Sequence, residues 1–60
     1  MNAVEIHDHA RKLLGSHGPK ALAEAAEMVR RYAQSGDKGR ADDWRRIQAA
    51  LREMIGPTVS

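Results

Sequence analysis

The sequence predicts an all-α fold, a small three-helix domain in which the second and third helices form an antiparallel hairpin and the first packs across it. Three observations carry this prediction. Apolar residues recur at three- and four-residue intervals in three stretches of the chain. Glycine-rich breaks, Gly15-Ser16-His17-Gly18-Pro19 and Ser35-Gly36-Asp37-Lys38-Gly39, separate the stretches, and Gly56-Pro57 closes the last. The second break is short, so the helices on either side must fold back on each other.

The first helix is expected over about 3–14. Asn2 can cap its free amides, with Glu5 three residues on completing a capping-box variant. Ala3, Ile6, Ala10, Leu13 and Leu14 then share one face, Arg11 and Lys12 suit the negative end of the helix dipole, and Gly15 is the expected stop. The second helix is expected over about 19–35, with Pro19 as its first residue because the missing N–H has no intrahelical partner there. Leu22, Ala25, Ala26, Val29, Tyr32 and Ala33 form its stripe, and Glu24, Glu27, Arg30, Arg31 and Gln34 lie opposite. Gly36 ends it. The third helix is expected over about 38–55, capped by Asp37, with Trp44, Ile47, Leu51, Met54 and Ile55 inward. Glu27 can pair with Arg31, and Asp42 with Arg46, each one turn on. Thr58-Val59-Ser60 reads as a frayed tail.

The expected core centres on Trp44, Ile47, Leu51, Leu22, Val29 and Tyr32, with Ile6 and Leu13 laid over it. It must be thin. The chain has 60 residues and 42% hydrophobic content, but ten of those residues are Ala, only ten are Leu, Ile or Val, and none is Phe. A domain this size buries roughly 60% of its unfolded surface, and the usual supplement is a disulfide, a metal or a partner chain. With no Cys in the chain, disulfides and thiolate metal sites are excluded.

Charge narrows the function classes without choosing one. Formal net charge is +2, with acids interleaved among the bases, so neither nucleic acid nor a membrane is demanded. No uninterrupted apolar run exceeds three residues, as in Ala21-Leu22-Ala23, far short of the roughly 20 residues a bilayer needs. The N-terminal stretch carries Glu5 and Asp8 where a signal peptide is apolar, and a cytoplasmic location is the expectation. His7, Asp8 and His9 suggest a metal cluster, but on a helix His7 and His9 point about 200° apart, so solvated histidines are the expectation and no metal or other cofactor is assigned. Catalysis is not expected, because three short helices rarely enclose a pocket for acid–base work.

The candidate nucleic-acid contacts are Arg30, Arg31, Arg45 and Arg46, since arginine forks suit phosphate. The competing reading is that these arginines solvate the outer faces and pair with Glu27, Asp42 and Asp43. In a helix-turn-helix arrangement, Asp42 and Asp43 at the start of the last helix would face the phosphates, which is unfavourable. Tyr32 and Trp44 fall on apolar stripes, so core roles are expected for them over base stacking.

From Gly18 onward, the segments Gly18-Pro19-Lys20-Ala21, Ser35-Gly36-Asp37, Ala41-Asp42-Asp43-Trp44-Arg45-Arg46-Ile47 and Gly56-Pro57 resemble a group of short bacterial helical proteins of hypothetical function. The likeness spans about two thirds of the chain, and its Gly-Asp turn and Asp-Trp-Arg-Arg-Ile run imply no activity. The Gly36-Asp37 turn between alanine-rich helices is also similar to the turn of tetratricopeptide hairpins, without that family's repeat. The resulting expectation is a non-catalytic protein-interaction or regulatory module, completed by a protein partner or by self-association through apolar helix faces. Weak nucleic-acid binding is the alternative. A contiguous apolar groove favours the first and an unbroken arginine face the second; a pocket holding a His and a carboxylate together favours an enzyme.

Overall fold

A computed structural model describes residues 1–56 as three helices, α1 (Ala3–His17), α2 (Lys20–Gln34) and α3 (Lys38–Ile55). The expected tail, Thr58-Val59-Ser60, lies outside the described residues. Each helix begins and ends where backbone chemistry dictates. At the start of α1, Asn2 Oδ1 accepts from the Glu5 N–H at 2.8 Å, and the Asn2 N–H donates to Glu5 Oε1 at 3.2 Å, a complete capping box.

The helix runs through Gly15, the expected stop, and ends two residues later at His17, with Gly18 as its C-cap. Gly15 has helical neighbours and no demand for special dihedrals. Gly18, at φ 62° and ψ −146°, takes a conformation closed to L side chains, and its N–H donates to the Leu14 carbonyl at 2.8 Å. Pro19 reinforces the break by disfavouring helical geometry in the residue before it. It then sits at the N-cap position of α2, one residue before the helix proper, with no side-chain cap of its own.

The α2–α3 turn is built from three residues. Gly36, at φ 83°, donates to the Ala33 carbonyl at 3.2 Å, while Asp37 N–H reaches back to the Tyr32 carbonyl at 2.9 Å. This pair of bonds is the Schellman arrangement. Asp37 closes one helix and opens the next, since its Oδ1 accepts from the Arg40 N–H at 3.1 Å. So tight a reversal sets α3 against α2 as an antiparallel hairpin, and α1 packs across both.

The core differs from the expected one in composition. Seven described residues are buried apolar, Ile6, Ala10, Ala21, Ala25, Ala41, Ile47 and Leu51, and four of the seven are alanines. In the central cluster Ala10, Ala21 and Ala25 pack with Ile6, Ile47 and Leu51, so small side chains share the interior with three large ones. Leu13, Leu14, Leu22, Trp44, Ala50 and Met54 are only half-buried, packed against the centre. Val29 and Tyr32, placed at the centre by periodicity, lie outside this cluster; Tyr32 instead carries the Arg40 guanidinium 5.7 Å above its ring. Ala3, Ala33 and Ile55, also assigned to inward stripes, are exposed.

Candidate functional site

Where α1 crosses the hairpin it leaves an open groove of about 310 Å³, lined by Leu13 and His17 of α1, Glu24, Glu27, Met28 and Arg31 of α2, and Trp44 of α3. Three helices contribute to it, so its shape depends on the whole fold. Leu13, Met28 and Trp44 are half-buried and supply its apolar surface. Trp44 is held in place from α1, where the His9 ring meets it edge-on with centroids 5.3 Å apart and planes 83° apart.

Ionisable side chains border the groove in pairs. His17 Nδ1 contacts Glu24 Oε1, tying the end of α1 to the first turns of α2 across the Gly18-Pro19 break. Arg31 Nε lies 3.5 Å from Glu27 Oε2, one turn apart on α2. All four side chains are substantially exposed, so these pairs shape the surface and add little stability. A depression of about 490 Å³, lined by Leu22, Arg52, Glu53, Ile55 and Gly56, is larger. It draws on α2 and α3 alone and is bounded by the last described residue, so the Trp44 groove is the better-formed candidate.

Of the four arginines singled out in the sequence, Arg31 alone lines the groove. Successive helical residues point about 100° apart. Arg30, the residue before Arg31 on α2, is accordingly set about 100° away from it around the helix. Arg46 pairs with Asp42 at 3.1 Å. Arg40, a fifth base on the hairpin, lies 3.6 Å from Asp37. Arg30 and Arg45 are exposed and make no ion pair among the described residues. Asp43, expected among the arginine partners, instead contacts the Met1 amino group at 3.5 Å.

Sequence reasoning missed His9, His17 and Glu24 as members of one site. His9, Leu13 and His17 recur every four residues and so share one strip of α1, a spacing that was readable. The meeting of His17 with Glu24 needed the geometry of the break. Among the described residues no group of three potential metal-ligating side chains occurs. None of their helices is long and apolar enough to cross a membrane. In comparison with known proteins, the chain matches no family model, and no curated protein or solved structure is significantly similar to it.

Proposed function

We propose that this chain is a non-catalytic, cytoplasmic protein-interaction module whose working surface is the Trp44 groove. The observation that carries the reading is the combination of a half-buried aromatic and two aliphatic side chains with a charged border, the usual anatomy of a protein contact patch. Kinship with the short bacterial helical proteins that share its Gly-Asp turn and Asp-Trp-Arg-Arg-Ile run belongs to the same proposal and brings no activity with it.

His17 beside Glu24 is the observation on the side of catalysis. Both are about half exposed, at 48% and 45%, and the groove lining offers no hydroxyl, thiol or amine nucleophile beside them, so the pair fits surface recognition better than acid–base chemistry. Nucleic-acid binding through Arg30, Arg31, Arg45 and Arg46 is the weaker alternative, because Glu27 and Asp42 each stand within ion-pair distance of one of those bases.

Two measurements test the reading. Capture from the source lysate with the parent chain and with Met28→Arg should show a protein retained by the parent and lost by the variant; identical captures would sink it. Labelled duplex and single-stranded oligonucleotides, titrated at two salt concentrations, should bind at roughly 10⁻⁴ M or weaker at physiological salt. Micromolar binding that falls steeply with salt, and is lost on reversing the four arginines, would establish the alternative.

A further inference from the structure

We propose that the occupant of the groove is a second copy of this chain, docked so that two α2 helices run antiparallel about a two-fold axis between Glu27 and Met28. The proposal rests on the interaction-module reading and names its partner. What carries it is the order of charges along one helix face. Glu24, Glu27, Met28 and Arg31 all line the groove, and at 3.6 residues per turn they fall on a single strip of α2. An acid begins the strip and a base ends it, seven residues apart. Turning a second copy end for end sets Glu24 opposite the partner's Arg31, and Arg31 opposite the partner's Glu24. A parallel pairing in register sets like charge on like. The strip is self-complementary in the antiparallel sense alone.

Both residues are accessible, with side-chain exposures of 45% for Glu24 and 69% for Arg31. Neither has to give up its present contact. Glu24 meets His17 through one oxygen and has a second, while Arg31 reaches Glu27 through Nε and keeps both terminal nitrogens as donors. Association therefore joins the two pairs of each copy into two continuous chains of contacts, each running His17, Glu24, the partner's Arg31 and the partner's Glu27, with acid, base and acid alternating over the last three. Such networks fix register where isolated exposed pairs do little.

On one flank of the axis the two Met28 side chains meet beside Leu13 and Trp44, removing apolar surface from water. On the other flank the two Glu27 carboxylates approach each other. That contact is unfavourable, moderated by the Arg31 that each already holds. A core with alanine at four of seven buried positions also gives the chain reason to recruit a partner's surface.

The test is sedimentation of the full chain over a wide concentration range, with Trp44 fluorescence followed alongside. The parent should pass from monomer to dimer. Glu24→Arg and Arg31→Glu should each weaken this by on the order of tenfold or more, because each sets two like-charge contacts across the axis. Circular dichroism checks that both variants stay helical. Mixed in equal amounts they should regain the dimer, since positions 24 and 31 then hold bases on one strip and acids on the other. Glu27→Gln should tighten the parent dimer. A parent that is monomeric throughout overturns the self-pairing alone, for a different chain can still enter the groove. A dimer indifferent to both charge variants, or variants that fail to associate on mixing, overturns the antiparallel α2 pairing, and the indifferent dimer also moves the interface off the groove.

Discussion

Leu51→Ala should be the most damaging truncation in the chain. Leu51 is fully buried, at 0% exposure, and shares its cluster with Ile6, Ile47 and three alanines. Removing three carbons at about 0.8 kcal/mol each forfeits about 2.4 kcal/mol of transfer free energy. The space they leave adds to this, because alanine methyls on Ala10, Ala21 and Ala25 are too short to close it. The expected total is about 4 kcal/mol, within the usual span for buried leucine. A 60-residue chain at about 0.05–0.15 kcal/mol per residue holds about 3–9 kcal/mol in all. The variant should therefore be marginal at room temperature. At about 4–8 °C per kcal/mol, its melting point should fall by about 15–30 °C. Far-UV circular dichroism melts, with urea titrations read from the single tryptophan, measure this directly. Leu51→Met, which keeps the volume, should cost less than about 1.5 kcal/mol. A shift under about 5 °C for Leu51→Ala would refute the enclosure of Leu51 and with it the alanine-lined core.

Trp44→Ala should cost less, about 2 kcal/mol, because the indole is half-buried beside the groove and not at the centre; a loss equal to that of Leu51→Ala would return it to the centre. Asp37→Ala should remove about 1 kcal/mol by leaving the Arg40 N–H uncapped, and Asp37→Asn should recover most of it, both read from urea midpoints. If the alanine variant were neutral, the cap would be idle. Zinc should neither raise the melting temperature nor release protons, since His7 and His9 point apart on α1; joint broadening of both histidine resonances at stoichiometric zinc would contradict this.

The helices, their order and the hairpin were legible because each rests on a local rule. Asn2 with Glu5, Gly36 with Asp37, and the Glu27–Arg31 and Asp42–Arg46 spacings all act within one or two turns, and the structure shows every one of those contacts. The stop of α1 was misread for an instructive reason. Gly15 and Gly18 are chemically identical, and only the proline after Gly18 tells which must leave the helix.

What periodicity could not supply is depth. It marks which residues face inward but not where two helices cross, and the crossing decides burial. Ala41, absent from the expected stripe, is 2% exposed, while Val29 and Tyr32, on the stripe, are only partly buried. Hydrophobicity scales weight side-chain size, and close approach selects against size, so in an alanine-rich chain the two signals oppose each other. The groove follows from the same opposition. Small alanines fill much of the buried centre, and the larger Leu13, Met28 and Trp44 are left half-covered where α1 lies across the hairpin. The surface proposed for binding thus follows from the way the core is packed, since the side chains that the core does not enclose stay accessible along the groove.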